Sequence, residues 1–140
     1  MDPKVQGSLN LHNLLPRGMD FFVLLSSVSG TVGKETQANY TAGNSYMDAL
    51  IRYRTSIGEK AASIDLGIME EVGLLASSPE NMAKMKAPGT LISLFPRDLE
   101  ALLDYHCNPS LEVLSPLKCQ IVIGIETPAN VVGKSHELPT

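Results

Sequence analysis

Three side chains in the stretch 26-SSVSGTVGKETQANYTAGN-44 carry groups able to handle a carbonyl: Ser27, Tyr40 thirteen residues on, and Asn44 four residues later. A serine hydroxyl and a phenol that converge on one point can hydrogen-bond a carbonyl oxygen and deliver a proton to it. A phenol is a poor acid at neutral pH, with a reference pKa of about 10, and gives up its proton readily only beside a cation that stabilises the phenolate. The same spacing is also served by turn serines after a strand and a tyrosine that simply packs, so on residue type alone both readings stand. A phosphate loop at Gly33-Lys34 fails on detail. It needs a glycine five residues before the second glycine and a hydroxyl after the lysine, where this chain has Val28 and Glu35. A carboxylate there would repel the phosphates.

A strand end and a helix start are needed to hold such residues. The run 21-FFVLL-25, set off by Pro16-Arg17-Gly18, reads as a short strand buried on both faces, as in a parallel sheet. From Gln37 to Ile57 there is no proline, and Gly58 is placed as a helix stop. Gly43, Tyr46, Met47, Leu50, Tyr53 and Ile57 fall on one stripe of that helix. Thr41, Ser45, Asp48, Arg52 and Ser56 fall opposite, with Asp48 and Arg52 spaced for a weak ion pair. Tyr40 and Asn44 sit on the boundary between the two faces.

Residues 3–15 form an earlier helix, with Pro3 in its first turn. After the long helix come a second strand in 61-AASIDLG-67 and a Met-rich stretch, Ile68 to Thr90, read as a long loop with one short helix around Pro79–Lys86. A helix over Pro96–His106, with Leu99, Leu102 and Leu103 inward, and a third strand in 119-CQIVIGI-125 complete the order. This alternation implies right-handed crossovers and a parallel α/β sheet covered by helices. In such sheets sites lie at the carboxyl ends of strands, where Ser26, Ser27 and Gly67 fall.

Composition narrows the partners. The 140 residues are 44% hydrophobic and 19% charged with a net charge of −4, the profile of one folded domain. No basic cluster offers a nucleic-acid footprint, and the apolar runs are too short to span a bilayer. The first residues lack a secretory layout. Cys107 and Cys119 make no disulfide framework, which suits a cytoplasmic protein, and with His106 they lack zinc-ligand spacing, so no metal is expected.

The run LLSSVSGTVGKETQANYTAGNSYMDAL, preceded by PKVQGSLNLHNLL and followed by AASIDLGIMEEVGLLA, resembles the ketoreductase domains of modular and fungal iterative, highly reducing polyketide synthases. These belong to the short-chain dehydrogenase/reductase superfamily. The resemblance covers residues 3 to 125 and is most specific in its serine–tyrosine–asparagine block. It implies the catalytic half of a Rossmann-like doubly wound parallel sheet over 1–126, followed by a disordered tail at 127–140. It also implies NADPH-dependent reduction of a β-ketoacyl thioester, carried on an acyl carrier protein, to the β-hydroxyacyl product. Ser27 would hold the carbonyl and Tyr40 would protonate it. Lys4, matching the family's upstream lysine, would hold the cofactor ribose and ease proton loss from Tyr40, while Asn44 would orient Lys4 or a water. Leu66 and Gly67 would border the nicotinamide, and Leu74 to Pro88 would form a lid. The family's glycine-rich phosphate turn lies in an amino-terminal half, and none of the eleven glycines here falls into G-x-G-x-x-G. The expectation is therefore a fragment inactive alone, a silent remnant, or a half completed by another chain. The competing reading is a non-catalytic, reductase-derived module that packs on a synthase partner.

Overall fold

The computed structural model describes residues 2–33, 35–71, 79–86, 89–127 and 130. Helix α1 (Asp2–Leu14) is followed by strand β1 (Val23–Ser27), a single turn α2 (Ser29–Val32) and the long helix α3 (Ala38–Ser56). Strand β2 (Ala62–Leu66), the short strand β3 (Ile68–Met69), helix α4 (Pro79–Lys86), the short strand β4 (Ser93–Leu94), helix α5 (Pro96–His106) and strand β5 (Gln120–Val122) complete the order. Gly58 takes the left-handed backbone (φ 83°) that ends α3, as its position suggests.

The main sheet is parallel, ordered β1-β2-β5, with Val23 opposite Ala62 and Ser27 opposite Leu66. This is a Rossmann-like α/β arrangement. Its core joins the sheet to α3: Phe22, Leu24, Met47, Leu50, Ile51, Ala61 and Cys119 are buried together, with Leu15, Met19, Tyr46 and Leu114 against them. β3 and β4 form a separate parallel pair at the carboxyl end of β2. There Gly67 and Gly124 meet so closely that a Cβ on Gly67 would lie 2.8 Å from the Gly124 carbonyl oxygen. Only two glycines allow that backbone contact.

The structure moves several expected features. β1 starts two residues later than 21-FFVLL-25 and runs through both serines, because Ser26 and Ser27 pair with Asp65 and Leu66. It is not buried on both faces: burial alternates along it, and Leu25 is 41% exposed. The third strand is confined to Gln120–Val122. The β3–β4 pair lies in and just beyond the stretch read as a loop. In α5 none of the residues is fully buried, so its leucines are half-covered. Most of the expected tail at 127–140, and 74–78 and 87–88 of the expected lid, lie outside the described residues. Among the described residues no helix is long and apolar enough to cross a membrane.

The largest departure is in α3. Asp48, expected on its polar face, is buried, as are Asn44, Arg54 and Thr55. Tyr53 and Ile57, expected inward, are exposed. Arg52 makes no ion pair with Asp48; its guanidinium bonds Gln120 Oε1 at 2.7 Å. The helix is wrapped by α1 on one side, by α2 on another and by the sheet beneath. A one-stripe pattern cannot describe a helix covered from three directions.

Candidate active site

The carboxyl ends of β1 and β2 lie side by side, which puts Ser27 next to Leu66 and just before Gly67 in the register. Ser27 Oγ accepts a hydrogen bond from the Ser29 N–H at 3.3 Å as the chain turns into α2. That bond leaves the Ser27 hydroxyl proton free to donate outward.

Lys4 reaches this rim from α1. Its Nζ donates to the Leu25 carbonyl at 3.3 Å and stands 5.3 Å from the centre of the Tyr40 ring. Gly43 makes the approach possible: a Cβ there would press to 3.3 Å from Lys4 Cβ. One glycine on α3 thus lets α1 lay its lysine against the turn that carries Tyr40. Tyr40 is 41% exposed, and no hydrogen bond joins its hydroxyl to Ser27. Lys4 bridges β1 and α3, and Tyr40 stands open to solvent above it.

Asn44 is fully buried one turn below Tyr40. Its Nδ2 donates to the Tyr40 carbonyl at 2.9 Å and to Ser29 Oγ at 3.3 Å, which uses both amide protons. Its Oδ1 has no partner among the described residues. A buried acceptor without a donor points to a missing group, because such atoms are almost always satisfied. Asn44 makes no bond to Lys4.

Sequence reasoning passed over a polar cluster directly behind this rim. Asp48 and Asp65 are both buried. Gln120 Nε2 lies 2.7 Å from Asp65 Oδ2 and 3.3 Å from Asp48 Oδ2, while Thr31 Oγ1 donates to Asp65 Oδ2 at 3.1 Å. Burial, with the nearby Asp65 charge adding, pushes the Asp48 carboxyl up to about 6, against partial opposition from the Ser26 hydroxyl. The available signal was Asp65 itself, a lone carboxylate inside the apolar strand ASIDL. A shallow cleft lined by Val23, Ala62 and His106 lies at the opposite ends of β1 and β2, away from the rim.

A cation, a phenol and a strand-end hydroxyl thus stand at the carboxyl edge of a Rossmann-like α/β domain. Residues 1–71 match the family described as the KR domain, and the chain belongs to that ketoreductase family of polyketide synthases. Highly reducing polyketide synthase 40 of Fusarium mangiferae is 41% identical over 137 residues, covering 92% of this chain and 6% of that protein. The highly reducing polyketide synthase tazB of Aspergillus terreus is 42% identical over 144 residues, covering all of this chain and 5% of that protein. Among solved structures, the PlmKR1 ketoreductase from the first module of phoslactomycin biosynthesis in Streptomyces sp. HK803 superposes with a TM-score of 0.69. It shares 31% identity over 98% of this chain and 30% of its own. A ketoreductase domain from the bacillaene assembly line gives a TM-score of 0.68 at 26% identity, covering 94% of this chain and 31% of its own. The chain therefore spans about a twentieth of the curated synthases and under a third of these solved ketoreductases.

Proposed function

We propose that this chain supplies the proton-handling half of an NADPH-dependent ketoreductase that reduces a β-ketoacyl thioester on an acyl carrier protein. The observation that carries the reading is Lys4, whose ammonium sits 5.3 Å from the Tyr40 ring while tied to the Leu25 carbonyl of β1. NADPH, when bound, supplies the hydride. Ser27, its oxygen already engaged by Ser29, keeps its proton and donates a hydrogen bond to the substrate carbonyl oxygen, where negative charge builds. Tyr40 transfers its proton to that oxygen, and the nearby ammonium stabilises the phenolate left behind. Asn44 fixes the Tyr40 turn through its amide protons and keeps Oδ1 open for a Lys4 proton or a water that refills the phenol.

The residues present fit one end of the cofactor. Lys4 and Tyr40 offer a cation and a hydroxyl suited to the nicotinamide ribose, and Leu66 and Gly67, at the end of β2 next to Ser27, would border the nicotinamide. The phosphate end finds no glycine-rich turn among these 140 residues. Turnover is therefore expected when the chain is combined with an amino-terminal ketoreductase half, and not from the chain alone. In that assembly Tyr40→Phe lowers ketone reduction by about a hundredfold or more with unchanged folding, since the phenol is exposed. A Tyr40→Phe assembly that reduces the ketone as fast as the parent would remove the phenol from the mechanism.

A further inference from the structure

The Asp48–Asp65 pair has a feature the reduction mechanism does not use. Both carboxylates are buried and reach for the same amide nitrogen of Gln120, and each keeps one oxygen, Oδ1, without a partner among the described residues. None of the described cations pairs with either. β1 and α2 bring no ionisable side chain, β2 brings Asp65, and β5 brings only Gln120, through which Arg52 is held at one remove. On α1, Lys4 and His12 meet α3 at other turns, against Tyr40 and Arg54. Two ionised carboxylates that share one amide nitrogen in a buried seam cannot both persist without cost; one proton between them removes the repulsion and supplies a donor.

Ser26 connects this pair to the rim. It carries one hydroxyl proton and faces two acceptors, the Asn44 carbonyl at 3.4 Å and the Asp48 carboxylate. We propose that Asp48 and Asp65 share a single proton, and that its uptake or loss switches Ser26 between these two acceptors and so sets the position of Asn44. With the proton present, Asp48 donates to Asp65 and Ser26 is free to hold the Asn44 carbonyl. Once the proton leaves to solvent, Ser26 turns to the Asp48 carboxylate, the two charges push α3 from β2, and Asn44 is released from β1. Gly30 leaves little slack, because a Cβ there would meet Asn44 Cβ at 3.0 Å and Asp48 Oδ2 at 3.2 Å. Asp48 is thus a positioning residue. The inference rests on the ketoreductase reading only for the importance it gives Asn44.

The test is a carboxyl-carbon and side-chain-amide NMR titration of the full chain, which needs no turnover and so fails or succeeds separately from the reductase reading. The Asp48 carboxyl is expected to report a midpoint raised about two pH units above an ordinary aspartate; the Asp65 carboxyl-carbon signal, through the shared proton, and the Asn44 amide signals are expected to move at that common midpoint. In Asp48→Asn, whose amide donates to Asp65 as the shared proton does, the Asn44 signals stay at their acid-side position throughout. An Asp48 carboxyl that titrates in the ordinary range, or an Asp65 signal that ignores the Asp48 midpoint, would overturn the shared proton. Asn44 signals that ignore the common midpoint, or still follow it in Asp48→Asn, would overturn the positioning role. Should Asp48→Asn fail to fold, the titration of the unmodified chain decides alone.

Discussion

Arg54 and Asp48 lie six residues apart on α3, each about 1% exposed, and the molecule surrounds them in opposite ways. The Arg54 guanidinium lies 4.0 Å over the Phe22 ring, 3.4 Å from Glu59 Oε2 and 2.9 Å from His12 Nδ1. Glu59 in turn accepts the Gly18 N–H at 3.1 Å. That knot ties α1, the loop before β1 and the turn after α3 into one joint. Among the described residues Asp48 has only hydroxyls, an amide and a second carboxylate around it. A compensated buried charge holds helices together, whereas an uncompensated one leaves a titratable strain. The strained one is the one that abuts Asn44.

The largest effect is expected on the compensated side. Arg54→Ala removes the stack on Phe22 and strands Glu59, which is 9% exposed, without its buried partner. A loss of about 3–5 kcal/mol is expected in urea unfolding. Arg54→Lys recovers part of it, because an ammonium cannot both stack flat and fork to two partners. If Arg54→Ala unfolds at the same urea concentration as the parent chain, the joint is not a joint.

The second prediction opposes the two sites through pH. Burial, and then the Arg54 charge, hold the His12 imidazole below its ordinary 6.5. The fold prefers neutral His12, whose Nδ1 accepts from Arg54. Its contribution is complete above about 6.5 and is lost as pH falls through the lowered value. Asp48 runs the other way. Raised from an ordinary 3.8 to about 6, its contribution is complete at the acid end and is lost as pH rises through about 6. The loss amounts to on the order of 3 kcal/mol. The slopes are opposite in sign, so each offsets part of the other in the parent chain. His12→Asn, which keeps an acceptor in place of Nδ1, leaves the falling slope of Asp48. Asp48→Asn leaves the rising slope of His12. Thermal unfolding at a series of pH values reads both, and identical profiles for the two variants would erase the contrast.

How much of this could be read from sequence depends on which contacts fix each element. α4 and α5 were legible because Pro79 and Pro96 mark their starts, and β2 because ASIDL is short, apolar and closed by Gly67. The Ser27–Tyr40–Asn44 spacing alone left carbonyl chemistry and plain packing both open, and only the resemblance of the surrounding residues favoured the first. Where the structure brings Lys4 was not, since it depends on Gly43 allowing α1 to cross α3 at that turn. The inward position of Asp48 was hidden for a related reason. Its burial comes from β2, β5 and α2 converging on α3, contacts that join residues as far apart as Asp48 and Gln120. Periodicity sees one face at a time, and it assigned an aspartate to water.

The smallest effect sharpens the comparison from outside. Lys86 on α4 pairs with Glu70 Oε1, which also accepts from Ser93 Oγ at 2.6 Å. The hydrogen bond from Lys86, and then that from Ser93, hold the Glu70 carboxyl below its ordinary range. Here the charges are opposite, as at Arg54, but they stand near solvent, where salt screens them and side-chain entropy opposes the pairing. The pair's contribution is present above the ordinary glutamate range and is lost as pH falls below it, so it adds nothing to either slope near 6. Lys86→Gln should therefore leave urea unfolding nearly unchanged and act locally. α4 buries no residue and is joined by this contact to the residue just after β3, so protease cleavage within 79–86 should rise, and added salt should raise it in the parent chain as well. A global loss as large as that of Arg54→Ala would mean that pairing, and not burial, governs what these charges do, and the contrast within α3 would lose its explanation.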